Sequence, residues 1–157
     1  MTETGQLHST SRGNILALSQ AIRSYGIDPE PILLEGNIDL ASLNDTTRVS
    51  GQSMDFMICL AVETTGDPAF GLRFADYIQP TSYHALGVAL LYSPTLRSFC
   101  IRLARYFAIV TTMDDTRFEE ENGNACLSTH PLFEYSETMH RCHPDAWAAW
   151  IVKLLRL

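Results

Sequence analysis

Apolar residues recur along this chain first at helical spacing and then at strand spacing. Ile15, Leu18 and Ile22 fall at steps of three and four, which predicts a helix from Ser11 to Tyr25 ended by Gly26. Pro29 and Pro31 open a short second helix, Ile32 to Glu35, because proline's missing N–H has no partner in a first turn anyway. Asn37 to Ser50 reads as a polar connector. Phe56, Met57, Leu60 and Val62 mark a third helix closed by Thr64-Thr65-Gly66. Asp67 and Pro68 then act as cap and first position of a fourth, with Phe70, Phe74 and Tyr77 on one face and Pro80 as its breaker. A further helix is predicted from Ser82 to Leu91. Ser93-Pro94-Thr95 launches the longest, with Leu96, Phe99, Cys100, Leu103, Phe107 and Val110 on a wide stripe.

After Val110 the period shortens. Thr116 to Glu121 and Asn124 to Ser128 flank Asn122-Gly123, the pair suited to a two-residue hairpin turn because both centres need positive φ. Leu132 to Ser136 is a third strand in this reading. Pro144-Asp145 starts a last helix with Trp147, Trp150, Ile151, Leu154 and Leu155 on its apolar face, and the chain ends on Leu157 without a stop signal. The pattern predicts an α+β domain: a multi-helix bundle packed on a small antiparallel sheet and closed by an amphipathic helix. Residues 1–10 read as a flexible tail and residues 11–157 as one folded unit. The unfinished last helix suggests a fragment of something longer, and its face should pack on the sheet or join two copies into a homodimer.

Composition narrows the function classes. At 157 residues the chain suits a single domain that buries its core without disulfides. Eleven basic side chains against eighteen acidic give a net charge of −7, and Lys153 is the sole lysine. That balance opposes both a DNA duplex and an anionic membrane. A charged fraction of 18% is below the usual ~25%, so part of the surface is expected to be covered by a partner. Cys59, Cys100, Cys126 and Cys142 form no CxxC pair and read as reduced cytosolic thiols. No leader or apolar span is present in the sequence.

Chemistry is sparse. Cys126, His130, His140, Cys142 and His143 are the densest set of metal-type ligands, but zinc sites use closely spaced pairs on each of two arms, and this set offers one. The alternative is a strand cysteine with polar residues before a helix. Asp114-Asp115 is either a carboxylate pair of divergent pKa or a turn between helix and strand. No nucleophile elbow, phosphate loop or dinucleotide motif appears, so neither an enzyme nor a cofactor is expected. Tyr83, His84, Tyr92, Arg97, Arg102, Arg105 and Tyr106 crowd around the Pro94 helix start, where aromatic and guanidinium groups can orient a small polar ligand. The candidate ligand residues are Tyr83, His84, Tyr92, Arg97 and Tyr106, in a pocket between helices and sheet. The competing reading makes the arginines a solvated face and the aromatics core.

An ordered set of segments carries a family resemblance. Tyr25-Gly26-Ile27-Asp28-Pro29 with Leu33-Leu34 comes first, then Thr46-Thr47-Arg48-Val49-Ser50, then Thr65-Gly66-Asp67-Pro68-Ala69-Phe70-Gly71-Leu72-Arg73. Leu86-Gly87-Val88-Ala89-Leu90-Leu91-Tyr92-Ser93-Pro94-Thr95-Leu96-Arg97 completes it. Together they resemble the N-terminal, arabinose-binding-like and non-cupin domain of AraC-family bacterial transcription regulators, over Ser11 to about Thr112. The resemblance implies a cytoplasmic regulator whose N-terminal domain senses an unidentified small-molecule effector or sets oligomeric state. DNA would be bound by a C-terminal helix-turn-helix domain absent from this chain. The helix, hairpin, helix order is also similar to haem-based or metal-binding sensors, although haem would want an axial histidine on the long helix, and Ser93 to Val110 contains none.

Overall fold

The computed structural model describes residues 8–157. Seven helices and two separate two-stranded antiparallel sheets form one α+β body. The chain enters on β1 (Ser9–Ser11), which pairs with β2 (Arg48–Ser50) through Thr10 opposite Val49. Both central residues are buried, Thr10 completely. The Ser11 N–H also donates to the Val110 carbonyl at 2.9 Å, and the Arg48 guanidinium donates to the carbonyls of Ser9, Ile109 and Val110. The expected tail is therefore ordered structure at residues 8–10, held by partners too distant in sequence to register as local pattern; the rest of that expectation lies outside the described residues. The connector Asn37 to Ser50 likewise contains β2.

Local signals explain most helices. α1 (Arg12–Arg23) turns Ile15, Leu18 and Ile22 fully inward, and α2 (Glu30–Glu35) follows Asp28-Pro29. α3 (Gly51–Thr65) starts under the Ser50 hydroxyl, which accepts from the Ser53 N–H at 3.1 Å, and stops at Gly66 with φ 66°. α4 (Phe70–Tyr77) begins after a turn in which Asp67 accepts from the Ala69 N–H. One 3₁₀ turn, Pro80–Tyr83, leads into α5 (His84–Leu91). α6 (Leu96–Tyr106) carries a reciprocal cap between Thr95 and Ser98, and a 3₁₀ turn at Phe107–Ile109 tightens its end.

β3 (Asp114–Glu121) and β4 (Asn124–Pro131) form the hairpin, with Phe118 opposite Leu127 and positive φ at both Asn122 (52°) and Gly123 (79°). The third strand expected at Leu132 to Ser136 is absent. After one backbone bond from Leu132 to Met113, Phe133 and Tyr135 turn inward, ring edge to face at 4.8 Å, and leave the ladder. The last helix also differs from expectation: α7 (Glu137–Leu154) starts seven residues before Pro144, which lies inside it. Its cap is Ser136, whose hydroxyl accepts from the Met139 N–H and whose own N–H donates to Asp55 on α3 at 2.8 Å.

α7 packs closely across α4. At Gly71 a Cβ would run into the Cys142 carbonyl, so only glycine allows this approach. Trp150, Ile151 and Leu154 are buried within the chain itself, leaving Leu155 and Leu157 exposed, so the last helix packs on the body, chiefly on α4 and α3 rather than on the expected sheet. Among the described residues no helix is long and apolar enough to cross a membrane.

Candidate functional site

α7 brings both tryptophans of the chain over a cavity of about 60 Å³ between α1, α3, α4, β3 and the turns flanking α5 and α6. Its floor is an aromatic cluster. Trp150, 2% exposed, stacks on Phe107 at 5.4 Å and meets the edge of Tyr83 at 5.1 Å. Met54, Met113 and Met139, three of the chain's five methionines, supply flexible wall. A second cavity of about 30 Å³ lies behind Met54, Phe74, Met139 and Ala146, which line both spaces.

Polar groups ring this apolar space and hold one another. The Tyr83 hydroxyl donates to Asn14 Oδ1 at 2.9 Å, and Asn14 Nδ2 donates to Thr10 Oγ1 at 2.6 Å. Opposite, Asp114 accepts from the Tyr135 hydroxyl at 2.7 Å, and its other oxygen lies 3.1 Å from His143 Nε2. Burial pushes the Tyr83 phenol pKa well up, and burial with the Asp114 charge does the same for Tyr135. Both hydroxyls therefore stay protonated and serve as donors. The indole N–H groups of Trp147 and Trp150 are buried without an acceptor among the described residues.

Of the sequence candidates, Tyr83 alone lines this cavity. His84 is exposed at φ 48° and borders a surface depression with Arg12 and Asp45. Tyr92 is 81% exposed, Arg97 pairs outward with Glu120 at 2.7 Å, and exposed Tyr106 lies under Arg105. Arg102 donates to the Ala89 carbonyl and the Ser93 hydroxyl at the end of α5. The crowding around Pro94 thus divides between helix-end bonding, solvent and, through Arg97, the edge of a furrow between α6 and the hairpin; the cavity under Trp150 lies apart from it. Thr10, Asn14 and the tryptophans were not read as site residues, while His143 was weighed only as a metal-type ligand and Asp114 only as half of a carboxylate pair. The tryptophan pair at i, i+3 was the available signal, taken as a packing face.

The metal-type residues do not converge. Cys126 is exposed on β4, His130 faces the Ser128 hydroxyl at 3.0 Å, the His140 ring lies 5.7 Å from that of Tyr135, and Cys142 is buried at the α4 crossing. Among the described residues no three His, Cys, Asp or Glu side chains are placed to hold a metal. Asp114 and Asp115 also diverge, the first inward to Tyr135 and the second outward to Arg117. A wider apolar furrow of about 410 Å³ runs between α6, the hairpin and the end of α7, along Leu96, Phe99, Phe118, Leu127 and Leu155. It is larger than the cavity under Trp150, but Leu96, Arg97 and Leu155 along it are exposed, whereas the smaller space is lined mostly by buried side chains, which makes it the better candidate for recognising a ligand.

Residues 26–157 match the family described as the arabinose-binding domain of AraC transcription regulators, N-terminal. No curated protein matches the chain.

Proposed function

The chain belongs to the family of N-terminal arabinose-binding domains of AraC transcription regulators, and on that premise we propose that the cavity under Trp150 is its effector site. The family is one of ligand-sensing regulatory domains, which agrees with a chain that offers a lined cavity. In this reading the ligand's occupancy sets the activity of a helix-turn-helix DNA-binding domain in the cytoplasm of a bacterial cell. The observation that carries it is the apolar cavity that α7 closes, lined by methionine and aromatic side chains with the buried Asp114 at its rim.

Transmission would run through α7. That helix supplies Met139, His143, Ala146, Trp147 and Trp150 to the cavity, is tied to α3 by Asp55 and rests on α4 at Gly71. A ligand shifts a regulator only by its difference in affinity for two arrangements. Here the arrangements are α7 seated over an empty cavity and α7 lifted by the bound molecule.

The test is a thermal-shift titration of the chain with L-arabinose and with short ketones, amides, lactones and carboxylates, in wild type and in Ala146→Leu, which fills the wall. The reading expects a compound that raises the wild-type Tm and has no effect on the filled variant. A response that survives the filling, or no response from any of them, overturns it. DNA recognition belongs to the other domain: with a −7 balance, this chain alone should leave a DNA duplex unshifted in a low-salt gel, and tight sequence-selective binding would contradict the reading.

A further inference from the structure

We propose that β4 is an interaction edge, and that it pairs antiparallel with β4 of a second copy of this chain to make one continuous four-stranded sheet.

The hairpin turn decides which backbone groups are free. With Asn122 and Gly123 as a two-residue turn, Glu121 and Asn124 face each other as a hydrogen-bonded pair, and the alternation carries that status on to Cys126, Ser128 and His130. The bond from the Leu132 N–H to the Met113 carbonyl continues the same series. The N–H and carbonyl groups of Ala125, Leu127 and Thr129 therefore point away from β3. Among the described residues no strand pairs with that edge, whereas α6 lies against β3.

Edge strands of this length are ordinarily blunted by charge, a bulge or an inner proline. β4 has none of these: its register against β3 is unbroken, it holds no Asp, Glu, Lys or Arg, and Pro131 stands at its end. The acids of the hairpin, Asp114, Asp115, Glu119, Glu120 and Glu121, all lie on β3.

A copy of the same strand is the partner this edge fits. Two β4 strands centred on Leu127 set Leu127 against the partner's Leu127 and Ala125 against the partner's Thr129, each pair exchanging two backbone hydrogen bonds. Between them Cys126 falls opposite the partner's Ser128, and Asn124 opposite the partner's His130. No two like charges meet, although each chain carries −7, because the acidic β3 strands end up outermost. The contact is self-complementary, as a twofold interface requires. Ala125 and Leu127 also wall the apolar furrow beside α6, so the furrows of the two copies open toward each other on one side of the sheet.

Light scattering on the size-fractionated chain should give twice the mass of one chain, falling to a single mass on dilution. Ala125→Pro removes an outward N–H that β3 does not use, and should weaken the dimer about thirtyfold, the worth of two hydrogen bonds. Leu127→Lys, which sets two lysines face to face, should do the same if the proline disturbs the hairpin. Ser128→Cys tests the register. Residues opposed in a pair that shares no hydrogen bonds stand about 4.5 Å apart at Cα, within disulfide range, so mild oxidation should link two copies from Cys126 to the introduced thiol, as read by mass spectrometry of the joined peptides. A chain that stays monomeric at millimolar concentration, leaving β4 to a strand of some other protein, overturns the proposal. So does a dimer that keeps its affinity in both edge variants and forms no such cross-link.

Discussion

Asp55 on α3 receives both the backbone N–H and the hydroxyl of Ser136, the N–H at 2.8 Å, and so fixes where α7 begins from 81 positions away. Ser136 in turn caps the helix through Met139. The carboxylate is buried, and Cys59 Sγ also approaches it at 3.6 Å. Two segments, α3 and the start of α7, thus meet at one side chain, and the helix that covers the cavity depends on it.

Asp55→Ala should lower stability by about 1–3 kcal/mol, since it strands two donors at a helix start, whereas Asp55→Asn keeps an acceptor and should lose less. Urea unfolding followed by circular dichroism orders the three proteins. Equal midpoints for Asp55→Ala and wild type would show that the cap is immaterial.

Gly71→Ala places a methyl group against the Cys142 carbonyl, a backbone atom that cannot swing aside. The helices must separate, so a loss of about 1–3 kcal/mol is expected although alanine is the better helix former. Gly123→Ala, at a φ of 79° in the hairpin turn with open space around it, should strain the turn and leave the α4–α7 packing intact. Thermal melts monitored by tryptophan emission separate the two effects.

The Tyr25 hydroxyl donates to Asp67 at 2.5 Å and, ahead of the Ala69 N–H, holds the carboxyl below its usual range. A carboxyl pKa depressed in the folded state stabilises above its unfolded value and loses that contribution as pH falls through the folded one. The Tm difference between wild type and Tyr25→Phe should therefore be constant near neutrality and shrink below the ordinary carboxylate range. On the alkaline side burial, then Asp67, raises the Tyr25 pKa, so the bond should outlast the usual tyrosine titration. A difference that grows on acidification would contradict the assignment.

Cysteine reactivity should follow burial. Cys126 is exposed on β4, whereas burial raises the thiol pKa of both Cys100 and Cys142. Native iodoacetamide labelling read by mass spectrometry should modify Cys126 first and Cys100 and Cys142 only on unfolding. Rapid labelling of Cys142 would mean that the α4–α7 crossing opens readily.

What the sequence made legible was local. The Asn122-Gly123 turn, the Ser93-Pro94-Thr95 start and the Gly66 stop are each decided by residues within a turn of one another, and each stands where the pattern put it. The misses share a cause. β1 and β2 are three residues each and exist because Thr10 meets Val49. The start of α7 moved because its cap answers to Asp55, and Pro144 was taken for a beginning since proline is common there. The cavity under Trp150 was out of reach for the same reason: Tyr83 was named, but its partner Asn14 is 69 residues away, and the aromatic cluster it joins closes through Trp150.

Pro144 has no amide proton, so the His140 carbonyl loses its usual helical partner partway along α7. The Asp55 anchor lies on one side of that missing rung and both tryptophans on the other. In amide-exchange terms α7 is two blocks in series, and a fluctuation that frees the amides around Trp147 and Trp150 leaves those behind Ser136 protected. Turnover of the cavity lining is thereby separated from unfolding of the domain.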